Sequence, residues 1–149
     1  MSVSRDRYDV AAQPGDSTVA SDQGGNSTRW WGVIANLIAL AVLIEAVFAG
    51  AMLSGISWAR TAHSVNAAVL LASASIAGLV AVITLRRVPY GLRLGLILLS
   101  LAGMIVVQGA LGALSAKGAN LLWIHVPLGV ALFGFATRAV AGDRRLHGA

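Results

Sequence analysis

The chain contains no cysteine. Disulfides, zinc–thiolate sites, iron–sulfur clusters and thioether attachment of haem are therefore excluded. Charge is nearly as scarce. Only 11% of the 149 residues are Asp, Glu, Lys or Arg, 57% are apolar, and the mean hydropathy is +0.77. A soluble domain of this size needs more polar surface. The scarcity is also local. Between Arg29 and Arg60 only Glu45 ionises. Ala62 to Leu85 holds one titratable residue, His63. Leu94 to Ala116 holds none, and Gly118 to Thr137 holds only His125. Strict polar–apolar alternation is absent, which argues against membrane strands. A bilayer core about 30 Å thick takes about 20 helical residues, and each of the four runs is long enough.

What is present supports that reading. Ala, Leu and Gly dominate the runs, as in packed membrane helices. The sequence predicts an all-α membrane protein, an up-and-down bundle of four transmembrane helices. Helices are expected at about Trp31–Leu53, Ala62–Leu85, Leu94–Leu114 and Leu121–Ala141. The short connections "SGISWART", "RRVPYGLR" and "SAKGAN" make successive helices antiparallel neighbours. Residues 30–141 form the transmembrane domain. Residues 1–29 are polar, lack the apolar core of a signal peptide, and read as a disordered cytoplasmic tail. Residues 142–149 read as a second cytoplasmic tail.

The net charge of +5 does not point to nucleic acid. Nine of the eleven basic residues fall in three places: Arg5, Arg7 and Arg29; Arg86, Arg87 and Arg93; Arg138, Arg144 and Arg145. In the predicted topology all three lie on one side of the membrane, and only Arg60 and Lys117 lie on the other. By the positive-inside rule both termini are cytoplasmic. Trp30 and Trp31 then sit at the inner interface, and Trp58 and Trp123 at the outer one. Heavy Ala, Gly and Arg usage fits a GC-rich bacterial genome, and the expected location is the bacterial inner membrane. The lipid bilayer is the expected partner, together with a redox or membrane-complex partner.

The two halves of the bundle resemble each other. "IEAVFAGAMLSGISWARTAHSVNAAVLL" runs parallel to "VQGALGALSAKGANLLWIHVPLGVALF". Glu45 matches Gln108, and His63 matches His125. Gly50 falls near Gly112, Ser54 near Ser115, and Trp58 near Trp123. The chain reads as two helical hairpins in tandem.

His63 and His125 open the second and fourth helices, at similar depth on diagonal members of the bundle. A haem iron accepts two axial nitrogens, one from each side of the ring, and bundle cores can host such a macrocycle. The residues at i+4, Ala67 and Gly129, are compact and would let a ring edge approach. Arg60 and Lys117 are the cations available to haem propionates. The plain alternative is a pair of interfacial histidines bonded to water. Zinc would need further ligands, and only Glu45 is at hand.

Glu45 is an acid inside a span, costly on insertion scales by about 2.5–3.5 kcal/mol, and hence a candidate functional residue. It would carry protons, pair with Arg60, stand beside the cofactor, or sit neutral and bonded to Gln108 at equal depth. Pro127, two residues past His125, removes a backbone donor from the early turns of its helix.

"VQGALGALSAKGANLLWIHVPLGVALF" resembles the third and fourth helices of one half of haem A synthase. There a Gln-Gly-containing helix leads through a short outer loop to a histidine near the start of the next helix. The resemblance covers about Trp31 to Thr137, as a single four-helix half. It is shared with small four-helix bacterial membrane proteins of unassigned function. It implies that His63 and His125 bind haem. The family's first half carries Glu-x-x-His, where this chain has Arg60, Thr61 and Ala62, and the paired outer-loop cysteines of many members are missing. Oxygenase chemistry is therefore not implied.

The sequence thus favours a non-enzymatic, bis-histidine haem b protein in electron transfer or haem handling. A cofactor-free accessory subunit of a membrane complex is the first alternative. A small proton-coupled transporter working through Glu45 is the second.

Overall fold

Long apolar runs, interrupted only by Glu45 in the first and Pro127 in the last, let each segment satisfy its own backbone, which a chain in hydrocarbon must do. In the computed structural model, which describes residues 18–88 and 91–146, they form four helices: α1 (Thr18–Leu53), α2 (Ala59–Thr84), α3 (Gly91–Ala116) and α4 (Leu122–Leu146). Side chains are described for 29–88 and 91–139. Within these helices Arg29–Leu53, Ala59–Thr84, Gly91–Ala116 and Leu122–Ala139 are long and apolar enough to cross a bilayer. The protein is an integral membrane four-helix bundle. The helix α1 begins at Thr18, so its first turns fall in the stretch read from sequence as a tail. Residues 1–17 lie outside the described residues. Likewise α4 continues to Leu146, and 147–149 lie outside them.

The topology is up-and-down. Helix α1 packs on α2, α2 on α3, α3 on α4, and α4 closes the ring on α1. The diagonal pairs α1/α3 and α2/α4 make no close backbone approach among the described residues. The α1–α2 and α3–α4 connections share one end of the bundle, here the loop end. The α2–α3 connection and the outer ends of α1 and α4 share the other, the basic end.

Both outgoing helices stop in the same way. Gly55 (φ +82°) and Gly118 (φ +97°) adopt the left-handed conformation that L-residues with a Cβ disfavour. Around the first, Ile56 N–H donates to Ala51 O and Gly55 N–H to Met52 O. Around the second, Ala119 N–H donates to Leu114 O and Gly118 N–H to Ser115 O. These are two Schellman caps with identical bonding. They fix the register of the repeat. Glu45 to Gln108 and Gly55 to Gly118 are both 63 positions apart, whereas His63 to His125 is 62. One residue is missing from the second loop. The sequence match of Ser54 with Ser115 therefore gives way to Ser54 with Lys117. Trp58 and Trp123 are not equivalent either, because Trp58 caps α2 while Trp123 lies inside α4. Trp58 instead meets Phe48 edge to face, with ring centroids 6.1 Å apart, and ties the first loop to α1.

The core is confined to one half of the bundle. Trp31, Ala35, Ile38 and Val42 of α1 are buried at a spacing of three or four residues. They meet Leu70, Ala74 and Ala81 of α2, Leu94, Leu98, Leu101, Ala102 and Ile105 of α3, and Leu132, Ala136 and Ala139 of α4. The closest approach is between α2 and α3. A Cβ added to Gly78 would lie 2.9 Å from the Leu99 backbone nitrogen, and one added to Gly95 would lie 2.7 Å from that of Val82. The two backbones meet because both positions lack a side chain.

Beyond this zone no described residue of the loop half is buried except Ala59. The stripes Glu45/Phe48/Ala49/Met52, Ala62/His63/Asn66/Ala67, Gln108/Leu111/Gly112/Ser115 and Ile124/His125/Leu128/Gly129 are all half-exposed. Each recurs at three and four residues and continues the buried stripe of its helix. The bundle is closed at the basic end and open inside at the loop end.

Gly95→Ala is expected to lower unfolding stability in detergent by about 1–3 kcal/mol, because the added methyl meets backbone that cannot yield. Gly103→Ala, where no atom lies within 4 Å of the added carbon, is expected to leave the melting temperature unchanged or slightly raised. Thermal melts of the two variants side by side check this.

Candidate functional site

The open end gathers Glu45, His63, Asn66, Gln108 and His125, whereas Asn36, Ser73, Ser75 and Ser100 lie in the other half. Helix α1 brings Glu45 to the level of the first two turns of α2, where His63 and Asn66 are neighbours at i and i+3. The His63 Nδ1 lies 3.0 Å from Glu45 Oε1. That contact has ion-pair distance, but the ring N–H does not point along it, so it is not a linear hydrogen bond. Asn66 Nδ2 donates to Glu45 Oε2 at 2.6 Å and also to the Ala41 carbonyl at 3.0 Å. Both carboxylate oxygens of Glu45 are thus engaged within the α1–α2 hairpin.

The α3–α4 hairpin solves the same problem differently. Gln108 Nε2 donates to the backbone carbonyl of His125 at 2.7 Å. A Cβ at Gly129 would lie 3.1 Å from that same Nε2, so the bare backbone of Gly129 makes room for the Gln108 amide. A Cβ at Gly112 would lie 3.2 Å from His125 Cε1, so the imidazole lies against bare α3 backbone. At the equivalent position of α1 stands Ala49, which has a Cβ. Pro127 lies inside α4 and withholds a donor from the Trp123 carbonyl, one turn back.

Four polar side-chain atoms are buried without a hydrogen-bond partner: Gln108 Oε1, Ser115 Oγ and His125 Nδ1 on the α3–α4 hairpin, and His63 Nδ1 on the α1–α2 hairpin, which has only its ion-pair contact with Glu45. Such atoms usually hold water or a ligand group, because leaving one bare costs about 1–3 kcal/mol. The Nε2 atoms of His63 and His125 are a different case. Neither has a hydrogen-bond partner among the described residues, and neither is sealed from its surroundings. The polar groups of the two hairpins lie at the same end of one ring of packed helices. Arg60 and Lys117 are exposed at the same end. Among the described residues no three His, Cys, Asp or Glu side chains converge as a metal-ion cage.

Several sequence expectations change here. Glu45 is not bonded to Gln108; each side chain finds its partner within its own hairpin. Arg60 makes no ion pair with Glu45, whose basic neighbour is His63. The compact face of Gly129 is filled by Gln108 and is not an open slot. Asn66 holds Glu45 in place, a role not assigned to it from sequence. The available signal was its position, one turn after His63 in an otherwise apolar run.

This pairing is testable by double-mutant cycles on unfolding in detergent. Asn66→Ala and Glu45→Ala are expected to couple by about 0.6 kcal/mol, and by no more than about 1.7, the range of membrane side-chain hydrogen bonds. Gln108→Ala and Glu45→Ala are expected to be additive within a few tenths of a kcal/mol.

No family model matches the chain, and neither a curated protein nor a solved structure does.

Proposed function

We propose that the protein binds a b-type haem in the open end of the bundle, with His63 and His125 as its axial ligands, and serves electron transfer or haem handling. The observation that carries this reading is the conjunction of an open bundle interior with two imidazoles on diagonal helices, each with a free Nε2. The donor set fits the group. Histidines that bind metal commonly present their second nitrogen to a carboxylate, which fixes the tautomer and raises ligand basicity. Glu45 stands in that relation to His63 Nδ1, and Asn66 holds it there. Arg60 and Lys117 would neutralise the propionates. A haem with both axial positions filled supplies one-electron chemistry and leaves no open site for oxygen.

The resemblance of the α3–α4 segment to half of haem A synthase supports the same reading. The arginine asymmetry supports an orientation with the loop end outside and both termini in the cytoplasm of a bacterial cell.

The test is an absorption spectrum of detergent-purified protein, oxidised and reduced, after expression with added haem. A sharp Soret band and split reduced bands are expected, lost in His63→Ala and in His125→Ala. If both variants bind haem as the parent does, the assignment is wrong. Glu45→Gln is expected to keep the haem but raise its midpoint potential by roughly 60 mV, equivalent to a tenfold change in relative affinity for the two oxidation states.

The half-exposed Glu45–His63 pair favours a second reading, proton-coupled transport through Glu45. A featureless haem spectrum, together with transport activity abolished by Glu45→Gln, would select it.

A further inference from the structure

The α1–α2 hairpin is joined tightly at Asn66 and Ala41. Toward the basic end its two helices frame a groove of about 450 Å³ on the outside of the bundle. Trp31 and Ile34 of α1 line it, facing Val69, Ser73, Ile76 and Val80 of α2. The lining is apolar apart from the Ser73 hydroxyl. Its α2 wall runs from Val69 to Val80, about 16 Å at the helical rise. That is close to half of a hydrocarbon core about 30 Å thick, the depth of one leaflet. The groove therefore has the length of a single acyl chain entering from one side.

The end it opens toward is strongly cationic. Arg29 precedes Trp31 on α1, and Arg86 and Arg87 follow directly on the end of α2; all three are exposed. Arg93 and Arg138 are exposed at the same end. Between residues 29 and 139 the sole acidic residue is Glu45, which lies in the other half. No ion pair involving these arginines occurs among the described residues. Guanidinium groups at this level meet lipid phosphates, and each contributes attraction to an anionic headgroup.

We propose that this groove is a binding site for an anionic diacyl phospholipid. One acyl chain lies between α1 and α2 against Trp31, and the headgroup phosphate is held by Arg29, Arg86 and Arg87. The apolar groove alone would accept any lipid chain, and the arginines alone would attract any anionic surface. Specificity comes from having both at one position. The site is independent of the haem reading, since it uses the opposite half of the bundle.

Trp31 supplies the probe. The full-length protein, with Trp30→Phe, Trp58→Phe and Trp123→Phe so that Trp31 is the one tryptophan left, is reconstituted in phosphatidylcholine vesicles. Part of the lipid is replaced by acyl-brominated phosphatidylglycerol, or by acyl-brominated phosphatidylcholine at equal mole fraction. Bromine quenches only tryptophans it touches. The anionic lipid is expected to quench with about five-fold higher apparent affinity, the size of one arginine–headgroup attraction. Arg29→Gln/Arg86→Gln/Arg87→Gln is expected to erase the preference while leaving quenching by the zwitterionic lipid intact, which also reports a folded hairpin. Ser73→Phe, which fills the groove from an exposed position, is expected to reduce quenching by both lipids and to remove the preference. Equal quenching by the two lipids in the parent would overturn the proposal. So would a preference that survives the arginine replacements, or one that persists unchanged in Ser73→Phe, which would reduce the site to a diffuse basic belt.

Discussion

Inside a bilayer a polar group must find its partner within the protein, and in this bundle that requirement determines how the loop half is built. Glu45 is the demanding case. A carboxylate in hydrocarbon has no water to fall back on, and its cost on insertion is several kcal/mol. Here both of its oxygens are engaged, one by His63 and one by Asn66. Asn66 in turn uses the same nitrogen on the Ala41 carbonyl. These contacts clamp α1 to α2 one turn beyond the buried core. The hairpin geometry at the loop end follows from a polar clamp, since no described side chain there except Ala59 is fully buried.

At the other end the constraint is steric. Gly78 and Gly95 bring α2 and α3 so close that a single methyl would strike backbone. Membrane helices gain little from burying apolar surface, because lipid is as apolar as leucine. Close packing between small residues supplies the attraction instead. A bundle pinned by glycine contact at one end and by hydrogen bonds at the other does not need a continuous core. The open interior at the loop end is what this division leaves, and the histidines border it.

The sequence was most legible where the bilayer imposes a simple rule. Charge-free runs located the spans to within a few residues at most ends, and the paired hairpins were visible from Glu45, Gln108, His63 and His125. The depth of these residues could be read, but their azimuth could not. Depth alone made Glu45 and Gln108 look like partners. The structure turns them toward their own hairpins, and rotation about a helix axis is set by packing that Ala-rich sequence does not encode strongly. The loops obscured the register as well. A one-residue difference between the two connections shifted the match of Ser54 and Trp58, and only the positive φ of Gly55 and Gly118 restored it. Asn66 escaped notice because an amide in an apolar run has many uses, and only the placed Glu45 singles out one.

With the register fixed, the differences between the hairpins become coordinated. Where the first has Glu45, the second has Gln108. The position of Asn66 corresponds to Leu128, and that of Ala49 to Gly112. These changes belong together. The carboxylate is held by a hydrogen bond from Asn66 and by His63 at ion-pair distance. An amide has its own donors, so it can bond a backbone carbonyl and needs no asparagine. Leucine is then tolerated at the equivalent position. The loss of a carboxylate partner leaves the second imidazole without an ion pair, and the missing Cβ of Gly112 lets it rest on α3 instead. One copy holds its histidine by charge and the other by shape. Two copies with glutamate would place two like charges in one low-dielectric interior, which is costly unless one is neutralised. The asymmetry is therefore the form in which a repeated hairpin can place two imidazoles in a single membrane bundle with only one intramembrane acid.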